Sequence, residues 1–286
     1  MLLLDKPHGM SSNAALQRAK RRFNAAKAGH TGTLDPMATG LLPLTFGEAT
    51  KFSQMLLDAD KVYEAVVCFG SETDTGDAEG QVIATASVDF TREALDAAIA
   101  ALRGEIEQIP PMHSALKRDG KPLYEYARAG IEVERAPRRV TIHALDCLAF
   151  NGREATLRVH CSKGTYIRTL AIDLGRALGC GAHLTALRRT AIGAFGIEQA
   201  VTSEALEAAE PPDSLLEPVD ALIAAYPRLE LDEAAGAALM QGRELPGAGA
   251  PGLLRLYSAG RFIGLGERLD GGRIVSRRLI ATGQGN

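Results

Sequence analysis

The sequence lacks the marks of a secreted, membrane-embedded or nucleotide-driven protein. Its four cysteines, Cys68, Cys147, Cys161 and Cys180, are scattered over 286 residues without a C-x-x-C pair. That spacing supports neither a zinc ribbon nor a disulfide framework, and it suits a reducing cytosol. The six histidines show no ligand spacing either, so no metal centre is expected. No G-x-x-x-x-G-K-[ST] run occurs, which removes the common phosphate-cradling loop. The apolar start, Met1-Leu2-Leu3-Leu4, is too short for a signal peptide or a membrane span. Internal repeats and low-complexity tracts are absent. The expectation is a cytoplasmic globular protein with no membrane partner.

What is present is ordinary globular composition, 46% hydrophobic and 23% charged, in a chain long enough for one large domain and a small one. The net charge of −3 hides an uneven distribution. Between Glu198 and Glu233 ten acids face one base, a local −9 that leaves +6 on the rest. Basic clusters stand at Lys20-Arg21-Arg22, Arg135 with Arg138-Arg139, Arg188-Arg189 and Arg277-Arg278. Such clusters can pair with phosphates, and local charge matters more than the total for that purpose. Each can equally be a solvated face, and the first suits a helix C-terminus.

Along the chain, Leu2–Leu4 reads as a short buried strand, and Ser11 or Ser12 as the cap of a helix to about Phe23. A strand over Gly40–Phe46, a helix from Gly47 to about Leu57 and an alternating strand over Lys61–Phe69 follow. Gly70–Gly80 is a Gly/Asp/Thr-rich turn, and Thr91 caps a helix to about Leu102. From Ile109 to Pro122 the chain is irregular and basic, and it leads into a short helix stopped by Gly130. A loop of that length in a compact domain is usually functional or disordered. Arg138–Phe150 and Arg153–Cys161 form a hairpin through Asn151-Gly152. A helix ending at Gly179 and a strand over Gly181–Thr190 come next, then a mostly helical acidic region at 198–227 broken by Pro211-Pro212. The tail has a short helix ended by Gly242 and three strands, with seven arginines against three acids between Ala234 and Asn286.

One stretch stands apart: Gly29-His30-Thr31-Gly32-Thr33-Leu34-Asp35-Pro36-Met37-Ala38-Thr39-Gly40. Its glycines and proline make a shaped loop, and the proline restricts the backbone of Asp35. A carboxylate held on a stiff, partly apolar turn can act as nucleophile or base. The competing reading is an Asx-turn, with Asp35 bonded to its own backbone.

This phrase resembles the signature around the catalytic aspartate of the TruB family of tRNA pseudouridine synthases. Four stretches carry the resemblance, in the family's order: Leu4–Ser12; Gly29–Pro36 with Gly47–Lys51; Pro110–Lys117; and Cys161–Thr169 with His183–Thr190. Two departures are visible. His113 stands where family members often have tyrosine or phenylalanine, and the chain starts almost at the Leu-Asp-Lys-Pro motif.

The resemblance implies an α+β fold: a pseudouridine synthase catalytic domain on a mixed, largely antiparallel sheet over residues 1–227, with an RNA-gripping loop at about 109–131. A small PUA-like β barrel that binds RNA would occupy 228–286. It places the nucleophile on Asp35, the active-site tyrosine on Tyr63 and the arginine that pairs with the nucleophile on Arg168. Substrate binding falls to His30, Tyr166, Leu187, Lys117 and His113, and Arg168 would hold Asp35 ionised. The implied reaction is isomerisation of the T-loop uridine of tRNA, position 55, without cofactor or metal and without an obligate protein partner. The chemistry is open between covalent attack and a glycal route. Read from residues alone, Tyr63 can be a core aromatic, Arg168 a helix-surface charge and Leu187 plain packing. A T-loop reader without turnover fits the same basic surfaces; a small-substrate hydrolase leaves the basic tail and the 109–122 loop unexplained.

Overall fold

The computed structural model describes residues 1–281. β1 (Leu2–Lys6) sends Leu2 and Leu4 into the main core and Leu3 to the opposite side of the sheet. Ser11 accepts from the Ala14 N–H at 3.1 Å and starts α1 (Ser12–Arg22). Two arginines of α1 face the acidic region: Arg18 pairs with Glu207 at 2.6 Å and Arg22 with Glu210 at 2.9 Å. That end of the helix is therefore engaged within the protein as well as favoured by the dipole.

β2 (Ala28–His30), the Asp35 loop and β3 (Thr39–Phe46) follow. The helix expected from Gly47 opens as a 3₁₀ turn over Gly47–Phe52, where the Thr50 hydroxyl donates to the Gly47 carbonyl, and continues as α2 (Ser53–Leu57). β4 (Lys61–Phe69) alternates as expected, burying Tyr63, Ala65, Val67 and Phe69. The turn after it spans a hairpin of β5 (Ser71–Thr73) and β6 (Val82–Thr85). Thr91 caps α3 (Arg92–Ala101), and β7 (Gly104–Gln108) precedes the irregular stretch.

That stretch holds structure the irregular reading passed over. β8 (Lys117–Arg118) and β9 (Lys121–Pro122) pair around Asp119 and Gly120, both at positive φ, and α4 (Leu123–Arg128) follows. Positive φ at both central residues is the demand of a type I′ turn, which Asp-Gly meets. β10 (Arg138–Phe150) and β11 (Glu154–Cys161) make the expected hairpin, then come α5 (Ile167–Ala177), β12 (Ala182–Ile192) and β13 (Phe195–Gly196). The acidic region is less helical than expected. It consists of a 3₁₀ turn at Ile197–Gln199, β14 (Val201–Thr202), α6 (Ser203–Ala208) and 3₁₀ turns at Pro212–Leu215 and Ala221–Ile223, and prolines at 211, 212 and 218 interrupt longer helix.

Ten strands form the main sheet, ordered β14-β1-β3-β12-β4-β11-β10-β7, with β13 on β12 and β2 on β3. Only the β1–β14 and β3–β12 pairs are parallel, so the sheet is mixed and largely antiparallel. Helices α1, α3, α5 and α6 cover one face, where Leu16, Leu95, Leu170 and Leu206 meet Leu42, Val67 and Val159. The Asp35 loop and the start of α5 lie on this face.

The tail comprises β15 (Arg228–Leu231), α7 (Glu233–Met240), β16 (Gly252–Ser258), β17 (Arg261–Arg268) and β18 (Ile274–Leu279). As expected of a small β domain, these strands form a sheet of their own in the order β15-β16-β17-β18, with an extra bridge from Leu245 to Ile274. The unit is seated on the body: Phe52, Ile223 and Leu265 share a cluster, and Asp220 binds Arg255 at 2.9 Å.

Candidate active site

The loop from His30 to Thr39 is held from several directions. Ser12 Oγ both accepts from the Leu34 N–H at 2.7 Å and donates to the Leu34 carbonyl at 2.9 Å. The Gly9 N–H donates to the Pro36 carbonyl at 2.8 Å. Lys6, fully buried, gives its ammonium to the Pro7 and Met10 carbonyls at 2.9 and 2.6 Å and reaches Pro36 O at 3.4 Å. Burial draws Lys6 down to about 8 against the attraction of Asp35. This explains the Leu-Asp-Lys-Pro stretch physically: its lysine is a cation spread over carbonyls that shape the loop.

Asp35 uses its carboxylate outward, not in an Asx-turn. Oδ2 lies 3.0 Å from Arg168 Nη2. Arg168, the second residue of α5, is 5% exposed, which excludes a helix-surface role. Its guanidinium also donates to the His113 carbonyl at 2.6 Å and the Thr75 carbonyl at 3.0 Å, and stands 3.7 Å from the Asp77 carboxylate. A cation at a helix N-terminus opposes the dipole; two flanking carboxylates offset that. Asp77 is itself fixed, accepting from the Thr75 hydroxyl at 2.6 Å and the Glu79 N–H at 3.1 Å.

The electrostatics at Asp35 combine opposing effects. Arg168 does favour the ionised form of Asp35, but burial outweighs it, and Asp77 adds to the upward push, so the Asp35 carboxyl titrates above the ordinary aspartate range.

Two chambers meet at this ion pair. One, of about 400 Å³, is lined by Tyr63, Leu187, Tyr166, Lys61 and Arg189; the other, of about 580 Å³, by His30, His113, Asp77 and Tyr124. Asp35 and Arg168 line both, as do Thr33, Leu34, Ser114 and Ala115, so the pair forms part of the partition. Both volumes lie in the usual range for small-ligand sites.

Tyr63 and Leu187 enter the first chamber from adjacent strands, since Leu187 pairs with Ala65 in the β12–β4 register. Burial raises the Tyr63 phenol above its usual value, with Arg189 opposing. Tyr166 is set by Gln108, which accepts from the Tyr166 N–H at 3.0 Å and donates to its carbonyl at 3.3 Å. His30 borders the second chamber with Nδ1 enclosed and unpartnered among the described residues; burial, then Arg189, depress its pKa, leaving a neutral imidazole at pH 7. Lys117 is exposed on β8 and lines neither chamber; its neighbour Leu116 lines the first. His113 lines the second chamber and also meets Arg168 through its main chain.

Two residues escaped the sequence reading. Asp77 sat in what looked like a plain turn. Arg189, read as half of a phosphate-pairing cluster, is 1% exposed and donates to the Leu41 carbonyl at 2.7 Å and the Thr33 carbonyl at 3.4 Å, while its Nη2 has no partner among the described residues. Its strand neighbour Arg188 is held by Asp5 at 2.7 Å. Gly40, at φ +102°, makes this packing possible: a Cβ there would stand 2.3 Å from the Arg189 carbonyl.

The model of the TruB family pseudouridylate synthase N-terminal domain matches residues 20–167. Residues 168–224 match a tRNA pseudouridylate synthase B C-terminal domain, and 227–280 the pseudouridine synthase II TruB C-terminal domain. A tRNA pseudouridine synthase B of Aromatoleum aromaticum is 66% identical over 99% of this chain and 92% of the relative. One from Azoarcus sp. is 65% identical over 100% of this chain and 96% of the relative. A chain from an H/ACA RNP bound to a substrate RNA containing 2′-deoxyuridine shares the fold, with TM-score 0.72 at 23% identity over 98% of this chain and 84% of that one.

Proposed function

This chain belongs to the TruB family of tRNA pseudouridine synthases, and on that premise we propose that it converts uridine 55 in the T loop of tRNA to pseudouridine, with Asp35 as nucleophile. The observation that carries the reading is the Asp35–Arg168 pair at 3.0 Å on the boundary of two chambers. A uridine turned out of the T loop fills the first chamber, between Tyr63 and Leu187, and its neighbours in the loop lie along the second. His30 borders that second space as a neutral imidazole that can hold the flipped arrangement by hydrogen bonding.

The reaction breaks N1–C1′, turns the base and joins C5 to C1′; C5 loses a proton and N1 gains one. The balance contains no redox change and no phosphoryl transfer, so it demands neither cofactor nor metal. A covalent bond between Asp35 and the substrate nucleoside divides the process into two easier steps. Arg168 supplies the opposing charge that keeps the carboxylate available inside a site that disfavours it. Tyr63 offers a ring for stacking and a hydroxyl for proton transfer. The test is to incubate purified protein with unmodified tRNA transcript and map the product. Pseudouridine at position 55 alone is expected. Binding of the transcript without any pseudouridine would identify a T-loop reader instead.

A further inference from the structure

On the sheet face turned away from Tyr63, two side chains from adjacent strands converge with one from the residue just before a third strand. β4, β11 and β10 lie side by side, with Lys61 opposite Cys161 and Ile142 opposite Cys161 in register. Between Ile142 and Ala144 the β10–β11 register shifts, which leaves His143 as the extra residue of a bulge beside His160. Bulges re-aim side chains, and here both imidazoles project on one side while Ile142, Val159 and Cys161 stay buried on the other. Asp60, immediately before β4, completes the group; its carbonyl accepts from the Gly193 N–H at 2.9 Å, which fixes its backbone.

The distances go beyond a simple ion pair. His143 Nε2 lies 3.2 Å from Asp60 Oδ2, and His160 Nε2 lies 4.0 Å from the same oxygen. The first is a hydrogen-bond contact; the second is too long for one, yet it aims a second ring nitrogen at the same atom. The rings are 4.8 Å apart and tilted by 47°, fanned about the carboxylate, with one donor atom from each residue inside a 4.8 Å circle.

We propose that Asp60, His143 and His160 form a binding site for a divalent transition-metal ion of the zinc class. Two imidazoles and a carboxylate suit that class, with water completing a tetrahedron. Donors about 2.0–2.1 Å from zinc stand roughly 3.3 Å apart. The His143–Asp60 spacing already matches, and His160, whose side chain is 44% exposed, closes the remainder by rotating. A bound ion would tie the start of β4 to the two strands beside it and act on stability, since an ion that binds only the folded chain raises its melting point.

The experiment is calorimetric titration of the chelator-stripped full chain with ZnCl₂, paired with cobalt(II) absorption. Expected are one saturable site per chain, a visible Co²⁺ spectrum of low coordination and a Tm raised by a few degrees with Zn²⁺. His143→Ala and His160→Ala should each weaken Zn²⁺ by about tenfold or more, and the double variant should lose the Co²⁺ spectrum. Asp60→Asn, nearly isosteric, should weaken binding comparably and provides the same test if a histidine variant does not fold. Equal Zn²⁺ affinity in wild type and the folded variants, or no saturable binding by wild type, would overturn the site.

Discussion

The loop bearing Asp35 and the segment 109–131 border the same chambers but are anchored in opposite ways. The first is bonded to the body by Ser12, Lys6, Gly9 and Arg189, mostly through buried groups. The second is bonded largely to itself and its flanks: Tyr124 N–H to the Ser114 carbonyl, Leu123 N–H to the Leu116 carbonyl, Tyr126 hydroxyl to the Arg118 carbonyl, and Arg135 to the Pro110 carbonyl. Its meeting with the active-site charges is the Arg168–His113 bond. The contrast separates two tasks. A reacting group needs fixed geometry before substrate arrives, whereas a surface that receives folded RNA gains from exposed charge.

Substitutions can break that division, starting with the largest effect. Asp35→Asn keeps the volume and removes the nucleophile; pseudouridine formation should fall by roughly 10⁴-fold or more, while filter binding to tRNA stays within a few-fold. Substantial product from the purified variant would contradict the assignment. Arg168→Met should cost about 3–5 kcal/mol in denaturant unfolding, because two carboxylates lose their buried cation, and should cut turnover severely; wild-type stability would show the partition is not held by charge. Ser12→Ala deletes a hydroxyl that answers both polar groups of Leu34, so about 1–3 kcal/mol of stability and a measurable part of kcat should go together.

Changes on the second segment should look different. Replacing Lys117, Arg118 and Lys121 by alanine should raise KM about tenfold with little change in kcat, the pattern of lost uniform binding. The slope of log KM against log salt should fall by about two for three lost phosphate contacts. Unchanged salt dependence would remove this segment from RNA binding. The smallest effect concerns pH. Because Asp35 titrates above the ordinary aspartate range, kcat/KM should decline on acidification at a pH above about 3.9. Asp77→Asn removes a neighbouring negative charge, so that acid limb should move downward; an upward move would mean that loss of order at Arg168 outweighs the charge.

The loop was legible in sequence because glycine, proline and Asp-Pro spacing are local signals, as were a cap at Ser11 or Ser12, the Thr91 cap and the Asn151-Gly152 hairpin; the role given to Asp35 came from the family resemblance, since the local signals alone fit an Asx-turn. Asp77 and Arg189 were not, because their roles come from register between distant strands. Leu184 N–H bonds Gly76 O to seat the Asp77 turn, and Arg189 faces Gly40 across a parallel pair. The net Asp35 shift lay beyond the sequence for a related reason: charge partners follow from a motif, but the burial that opposes them depends on the assembled chamber. The tail was read as a small, basic, RNA-binding β domain, and its seating on Phe52 and Ile223 was invisible for want of any local pattern.

Gly40 carries no chemistry, yet its missing side chain limits how the site can drift under mutation. β3 and β12 meet there with no clearance, so one added methyl group would lift one strand from the other. Thr33, through the Arg189 guanidinium, and Tyr63, through its register with Arg189, flank that seam. Alignment of the reacting groups and pairing of the strands thus share one mechanical coordinate. A saturation screen scored for folding alone would therefore read only one of the two things that a side chain at this position disturbs.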